Sequence, residues 1–500
     1  MDVDLIMAVD VISVSPIETS APDIHHQRRQ AVTAAALIVI AFVAWLSLEA
    51  PHGILCGTDE LLTAERSREM LVTGEPWVVH YNFHRSFEKP PLQYWLTSLT
   101  LPRFQNPAVA LRIWPILYGA LTAITLGWLV SLMKPGDPWL IPLAVAVLVS
   151  SPLFASESSR GLLDVGLAFF TLLTIAFAEL ARKRPVWWIA AAIACWLGSL
   201  QKVPVPFLVW LFIVAVRFTN PEERATLRRS AGWLAGSVVL AIALMSIWPL
   251  LQFFRYQMPA GNVFHEEIVV WLGPTGLGQR RYFENPIAMS LAGGLSGFLS
   301  LIALFVILFS KRERSSRAVR EIALVALGFI VLTIVTNFRH VRYLIPIIPS
   351  LCVLLAVIFY WFLQRGGRIR SLAMIALALF LTAGLIHAEI RILVWRKDVA
   401  NEKVIAEKLG ELQQTGTEIV LIKAINAGDD LLWDSFYLFH GNLRFSVTKL
   451  TTDEIRANPP KPPVIGACIV RDFPVVKELY PNVQVQLDRA QFICWQVPAE

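Results

Sequence analysis

The uncharged run AVTAAALIVIAFVAWLSL, residues 31–48, indicates the fold class of this chain. Its length approaches the ~20 residues that an α-helix needs to cross the hydrocarbon core of a bilayer. Similar apolar runs recur up to about residue 390, and only 16% of the 500 residues are charged. Soluble domains have about 25% charged residues. The sequence therefore predicts a mostly α-helical, polytopic membrane protein.

Eleven apolar runs predict about eleven transmembrane helices. They lie near residues 31–48, 108–132, 138–155, 161–181, 186–200, 203–217, 231–254, 287–310, 319–336, 343–363 and 371–390. The polar residues 1–30 lack the small-x-small pattern at which a signal peptide is cleaved. We therefore expect residues 1–30 to form a cytoplasmic tail and residues 31–393 to form a transmembrane domain.

Four connections between these runs share a basic excess, with 15 Lys and Arg against three acidic residues. They are residues 182–185, 217–230, 311–320 and 364–370. Cytoplasmic loops of membrane proteins carry such an excess. This orientation puts the loops 50–106 and 255–286 outside, which is the periplasm for a bacterial inner-membrane protein. The net charge of +6 thus reflects topology, and no nucleic-acid partner is expected.

The last hundred residues have a different character and predict a small extracytoplasmic α/β domain, residues 394–500. The predicted helices cover 401–414 and 429–440, and the predicted strands are Glu418–Ile422, Leu443–Val447, Val464–Val470 and Gln491–Val497. Two of the five cysteines, Cys468 and Cys494, fall in predicted strands. A disulfide between them and two buried free thiols are both consistent with the pattern.

The outer loop 50–106 has 57 residues, and long ordered loops are usually functional. Thr58 is a candidate cap for a helix that ends at Gly74, and a second helix is expected after Pro90-Pro91. The second helix places apolar side chains on one face. Both helices are therefore expected to lie in the plane of the membrane surface.

This loop carries three residues with potential chemistry. Asp59 lies just beyond the first span, where an acid can orient or deprotonate an acceptor hydroxyl. Glu88 is a candidate ligand for a divalent cation. Lys89 can pair with a phosphate as a point charge. Read alone, an acid at the position of Asp59 is most often a carboxylate at a helix start. The bland alternative for Glu88 is a local ion pair with Lys89, which fits poorly because adjacent side chains do not face each other on a helix.

Further candidates lie on the same side of the membrane. Asp164 stands at the start of an apolar run, where an acid is costly unless it has a partner or a task. The loop 255–286 brings His265, Glu267 and Arg281 together. His265 and Glu267 are candidate metal ligands, and Arg281 is a candidate contact for the carrier phosphate or substrate. A tight, basic outer loop precedes the tenth span, against the usual charge rule, and suits a phosphate. Its candidate binding residues are Arg339, Arg342 and Tyr343.

Several motifs of the outer loop resemble those of the aminoarabinose–lipid A transferases. These enzymes are GT-C membrane glycosyltransferases, like the protein O-mannosyltransferases and the rhizobial galacturonosyltransferases. The motifs are Asp59-Glu60, Ala64-Glu65, Arg68-Glu69-Met70, Gly74-Glu75-Pro76-Trp77-Val78-Val79, Phe87-Glu88-Lys89-Pro90-Pro91-Leu92 and Tyr94-Trp95-Leu96. Asp164 matches a second outer acid of such enzymes, and Arg342-Tyr343-Leu344-Ile345-Pro346 is similar to a late element of theirs. The resemblance covers about residues 31–350.

The resemblance implies an inverting transfer of a sugar from a polyprenyl-phosphate donor to a lipid or glycan acceptor. Asp59 would be the catalytic acid and Asp164 would support the substrate site. Lys89 would contact the carrier phosphate, and Glu88 would help to hold a divalent metal ion if one is used. No nucleotide cofactor is expected.

The alternative from another class is a transporter or flippase of lipid-linked saccharides. Such proteins tend to have internal repeats and polar residues near the membrane midplane. The sequence has no evident repeat, and its polar clusters lie at the outer interface, which favours the enzyme. The sugar, the acceptor and the oligomeric state cannot be predicted from the sequence.

Overall fold

The structure is a computed structural model that describes residues 21–258, 293–310, 316–335, 341–394, 399–423 and 434–499. A long helical bundle forms the first part and a small mixed domain forms the last hundred residues. The N-terminal elements are α1 (Ala21–Glu49), α2 (Thr58–Thr73), β1 (Val79–Tyr81), β2 (His84–Ser86) and α3 (Leu92–Thr100).

The rest of the bundle is built almost entirely of apolar helices. They are α4 (Pro107–Met133), α5 (Leu140–Val149), α6 (Pro152–Ser158), α7 (Asp164–Ala181), α8 (Trp187–Gln201), α9 (Val205–Thr219), α10 (Pro221–Arg229), α11 (Ala231–Tyr256), α12 (Gly294–Phe309), α13 (Arg317–Val335), α14 (Ile348–Leu363) and α15 (Gly367–Val394). A 3-10 turn, Val341–Ile347, leads into α14.

Each of the eleven predicted spans has a helix at its place. Within the described residues, six helices are long and apolar enough to cross a membrane, or up to eight if each of two bent pairs is one span. The pair α5 and α6 bends by 69°, and the pair α9 and α10 bends by 119°. The helices α8 and α12 are apolar but shorter. The protein is a multi-pass membrane protein.

The C-terminal residues fold around one mixed sheet of five strands, in the order β4-β3-β5-β7-β6. Strands β4 and β5 pair with β3 in parallel, and β7 pairs antiparallel with both β5 and β6. The elements are α16 (Ala400–Leu412), β3 (Glu418–Lys423), α17 (Asp434–His440), β4 (Val447–Thr451), α18 (Thr452–Ala457), β5 (Val464–Ile469), α19 (Phe473–Leu479), β6 (Gln484–Arg489) and β7 (Phe492–Val497). The predicted strand 443–447 was wrong, because β4 begins where that prediction ended.

Both Cys468 and Cys494 are buried free thiols. They lie on the neighbouring strands β5 and β7, but the register pairs Cys468 with Ile493 and Ala467 with Cys494. The two cysteines are therefore not opposite one another across the sheet.

The two helices of the outer loop differ from expectation. Helix α2 has Gly57, not Thr58, at its N-cap position, and Gly74 ends it in the left-handed conformation, with φ of 69°. Most of α2 is buried, so it does not lie on the membrane surface. Helix α3 buries its polar side chains and exposes Leu99 instead. Leu92 and Leu96 of α3 are partly buried against the helical core, so the apolar side chains of α3 do not form one outward face. The position of α3 at the membrane surface stays a prediction.

Candidate active site

Asp59 lies in the first turn of α2, and its carboxylate accepts a hydrogen bond from the Arg342 guanidinium. The Asp59 side chain is 45% exposed and that of Arg342 is 20% exposed, so the pair is open on one side. Burial alone would raise the pKa of Asp59, but Arg342, Lys202 and Arg160 together hold that pKa below its usual value. Asp59 is therefore ionised at neutral pH.

Asp164 begins α7 and forms a second ion pair beside the first. Its Oδ1 lies 2.6 Å from Nζ of Lys202, and both side chains are almost fully buried. The same ammonium lies 4.8 Å from the ring centre of Tyr343, and the Arg342 guanidinium lies 5.8 Å from that ring. The aromatic face thus contacts both cations. We call Asp59, Asp164, Lys202, Arg342 and Tyr343 the outer charged cluster.

Lys202 was not a candidate from the sequence, although it proves central to this cluster. It lies at the C-cap of α8, in the short turn before α9. The only signal available was a single Lys between two apolar runs, which is also the pattern of an interfacial anchor. Its partner lies 38 positions away along the chain, and periodicity gives no information about such a pairing.

A close approach of two helices places Lys202 next to Asp164. A Cβ atom on Gly166 would lie 2.5 Å from the Gln201 amide nitrogen and 2.9 Å from the Tyr118 ring, so the missing side chain of Gly166 makes room for Gln201 where α8 packs on α7. Gln201 donates to the Leu163 carbonyl oxygen and to the Gln93 side chain. This buried amide therefore connects α7, α8 and α3 beneath the outer charged cluster.

Lys89 lies in the short non-helical segment before α3, four positions before Gln93. It is half-buried and forms no ion pair with any residue that the structure describes. Its neighbour Glu88 is 60% exposed and accepts a hydrogen bond of 2.6 Å from Arg66. The local ion pair considered for Glu88 is thus real, but its partner is Arg66 and not Lys89.

The metal hypothesis depends on residues that the structure does not describe. His265, Glu267 and Arg281, like Arg339, lie outside the described residues. Among the residues that are described, no three His, Cys, Asp or Glu side chains are grouped so that they could hold a metal ion. Glu88 has one carboxylate oxygen engaged by Arg66, which leaves the other for a ligand.

A buried carboxylate next to Asp59 fixes the surrounding backbone. Glu60 accepts hydrogen bonds from the Arg112 side chain, at 2.8 Å, and from the Gly161 backbone N–H, at 3.1 Å. Arg112 in turn donates to the carbonyl oxygens of Ala50 and His52. Glu60 thereby ties α2 to α4 and to the segment that leads into Asp164.

The C-terminal domain covers the face of α2 that turns away from the bundle. Arg68 of α2 donates to the Asn442 side chain and to the Leu443 carbonyl oxygen. Leu61 and Ala64 share one apolar core with residues of that domain, including Phe436. Arg68 interrupts the apolar side of α2 in the sequence because this helix contacts a second domain there.

Comparison with known proteins supports the resemblance described for the outer loop. The model of the family described as dolichyl-phosphate-mannose-protein mannosyltransferase matches residues 63–256. Among solved structures, ArnT from Cupriavidus metallidurans bound to undecaprenyl phosphate superposes with a TM-score of 0.69 at 16% identity, over 92% of this chain and 97% of that one. The chain has an ArnT-like GT-C fold. The resemblance predicted from the outer loop is confirmed.

Other matched proteins superpose with a lower TM-score or match over a shorter segment. The archaeal oligosaccharyltransferase AglB from Archaeoglobus fulgidus has a TM-score of 0.58 at 13% identity, over 84% of this chain and 64% of that one. An undecaprenyl phosphate-alpha-4-amino-4-deoxy-L-arabinose arabinosyl transferase from Pseudomonas savastanoi is 30% identical over 223 residues, or 43% of this chain. That match spans 40% of the relative's length.

Proposed function

We propose that this protein is an inverting glycosyltransferase. It moves a sugar from a polyprenyl-phosphate carrier to lipid A, lipopolysaccharide or another envelope acceptor, at the periplasmic face of the inner membrane. The outer charged cluster carries the proposal, because it places two carboxylates and two cations around one aromatic ring on a GT-C fold. The matched relatives support a lipid-linked sugar as donor, since their names specify undecaprenyl phosphate and dolichyl phosphate.

The cations of the cluster suit the carrier phosphate. Lys202 and Arg342 both face the Tyr343 ring, and Lys89 has no ion pair among the described residues. Charged donors bind phosphate oxygens strongly, and they stabilise the negative charge that grows on a departing phosphate. These three side chains would therefore hold the carrier and stabilise it as the leaving group.

Asp59 would serve the acceptor. In the structure its carboxylate is engaged by Arg342, which makes it a weak base. A carrier phosphate that binds Arg342 would compete for that guanidinium and would leave Asp59 free to accept a proton. Binding of the donor would thus make Asp59 able to accept the proton of the acceptor.

The displacement occurs at the anomeric carbon of the sugar. An acceptor oxygen forms a bond to that carbon from one side while the bond to the carrier phosphate oxygen breaks on the other. The electron pair leaves with the phosphate, and a proton from an acceptor hydroxyl passes to Asp59. Asp164 holds Lys202 in place at 2.6 Å. Attack from the opposite side inverts the configuration.

A divalent metal ion bound by Glu88, His265 and Glu267 remains part of the proposal, and no step above depends on it. Such an ion would add positive charge near the carrier phosphate. Metal analysis of the purified protein by mass spectrometry tests this directly. A protein without bound metal that keeps full activity in a chelator would contradict it.

The decisive experiment measures transfer with purified protein in lipid. The donors are polyprenyl phosphates that carry aminoarabinose or mannose, the sugars named in the matched relatives and family, and the acceptor is extracted lipid A. We expect free polyprenyl phosphate and an acceptor whose mass rises by one sugar. Envelope lipids from cells with and without the protein should differ by the same mass. No change in either comparison would contradict the proposal.

A further inference from the structure

A second group of charges lies at the far end of α7. Asp164 is the first residue of this helix and Arg182 follows its last, so about 27 Å of helix separates them at 1.5 Å per residue. We call Glu179, Arg182, Arg217, Glu223 and Glu321 the inner charged cluster. It joins the ends of α7 and α9 to α10 and α13.

This cluster is almost fully satisfied by its own contacts. Arg217 donates two hydrogen bonds of 2.8 Å to Glu321 and one to the Ala178 carbonyl oxygen. Arg182 contacts Glu179, Glu223 and Glu321. These pairs are buried and hold the helices together, so their charges are already paired without a ligand.

A cavity of about 260 Å³ opens above the cluster, between α9, α10 and α13. Its floor includes Arg182 and Arg217, and its rim includes Arg317 and Arg320. Arg317 pairs with Glu222. Arg320 is exposed and forms no ion pair with any residue in the described ranges. The rim therefore presents a cation that no residue in the described part of the chain neutralises.

The position of the cavity matches the headgroup layer of a membrane. Helix α10 turns by 119° from α9, as a helix does that leaves the bilayer and lies along its surface. Phe218, at the end of α9, is 54% exposed. Arg224 of α10 lies over the Phe218 ring at 5.0 Å. Phe218 thus marks the edge of the apolar layer and Arg224 marks the level of the headgroups.

The exposed residues of α10 add further positive charge. Glu223 and Leu227 anchor this helix inward, whereas Arg228 and Arg229 are exposed. Basic pockets between membrane helices bind anionic headgroups, and each Lys or Arg near the surface contributes about 1 kcal/mol. We propose that the cavity between α9, α10 and α13 binds the phosphodiester headgroup of an anionic phospholipid, phosphatidylglycerol, with Arg320 as its principal contact.

The test compares two exposed arginines on the same side of the protein. R320Q removes the rim cation. R365Q is the matched control, because Arg365 is also exposed and packs on Phe362, but it does not line the cavity. Both are surface substitutions, which usually change stability by less than about 0.5 kcal/mol. Native mass spectrometry with phosphatidylglycerol measures affinity, and thermal melts measure stabilisation by the lipid.

We expect R365Q to bind phosphatidylglycerol like the wild type, and R320Q to bind it about fivefold more weakly, as the loss of one surface cation implies. R317Q/R320Q should bind still more weakly. An equal loss in R365Q would overturn the proposal, since it would indicate general attraction to the whole basic face. Equal stabilisation by phosphatidylcholine or by soluble glycerol 3-phosphate would also overturn it, since the site requires an anionic lipid.

Discussion

The two ends of α7 carry clusters of similar composition that differ in what they leave open. In the inner charged cluster the carboxylates are engaged by arginines in buried contacts, and Glu321 alone receives three donated hydrogen bonds. In the outer charged cluster the acid–base pairs make single contacts, and Asp59 remains 45% exposed. A network that is closed on itself stabilises a fold, whereas one that is partly open can exchange its partner for a substrate.

The largest expected effect is the loss of sugar transfer when Asp59 is substituted. If transfer persisted, the outer cluster would not differ from the inner one in function. Asp59→Asn keeps the size of the side chain and removes its charge. Transfer should fall by about 10²–10⁴, the usual range for general acid–base work. A role limited to the helix start would cost at most ~1 kcal/mol of stability. The measurements are turnover with a polyprenyl-phosphate sugar and a thermal melt, and near-normal turnover would refute the mechanism.

The next effect concerns Lys202 and the carrier. Lys202→Gln should weaken binding of polyprenyl phosphate by about 10- to 100-fold, since a charged hydrogen bond contributes about 1.5–3 kcal/mol. The substitution also leaves Asp164 buried without its partner. The double variant Lys202→Gln/Asp164→Asn removes that imbalance and should recover stability but not affinity. Recovery of carrier affinity in the double variant would show that Lys202 only neutralises Asp164.

A matched change in the inner charged cluster should affect stability alone. Glu321→Gln leaves the buried Arg217 without its main partner, and we expect a loss of about 3 kcal/mol, as when one member of a buried ion pair is removed. The transfer rate per folded molecule should stay within about twofold of the wild type, because the acids of the outer cluster lie a helix length away. A tenfold loss of rate with a normal melting temperature would erase the distinction between the clusters.

The smallest effect concerns Glu69 of α2, which is buried beside Glu65. Burial, and then the charge of Glu65, raises the pKa of Glu69 to about 8. Between its usual pKa of 4.5 and about 8 the folded state therefore holds a proton that the unfolded state releases. Stability should fall as pH rises through this window. Glu69→Gln should raise the melting temperature at pH 8 and leave it unchanged near pH 4. An equal rise at both pH values would contradict this.

The sequence predicted those features that depend on local pattern. Apolar runs located a helix at each of the eleven predicted spans, and Pro90-Pro91 located the start of α3. As the motifs predicted, the two acids lie near Arg342: Asp59 forms an ion pair with it, and the charge of Asp164 also acts on it. Lys202 was missed because its role depends on the approach of α8 to α7, which Gly166 permits. Helix α2 was misplaced because its polar residues contact other parts of the protein: Glu60 binds Arg112 of α4, and Arg68 binds the C-terminal domain. The spacing of polar residues along one helix does not distinguish a face that contacts protein from one that contacts water.

The packing of the C-terminal domain on α2 has a consequence for the synthesis of the protein. Arg68 and its partner Asn442 are 374 positions apart, and a ribosome needs roughly 20–75 s to make that much chain. Until then Leu61 and Ala64 lack the C-terminal residues of the apolar core that they share with that domain, such as Phe436. The first outer helix to be made is thus among the last to be completed. A nascent chain that stalls before residue 434 should hold Asp59 on an unsupported helix, so incomplete products of translation should be inactive and available to quality-control proteases.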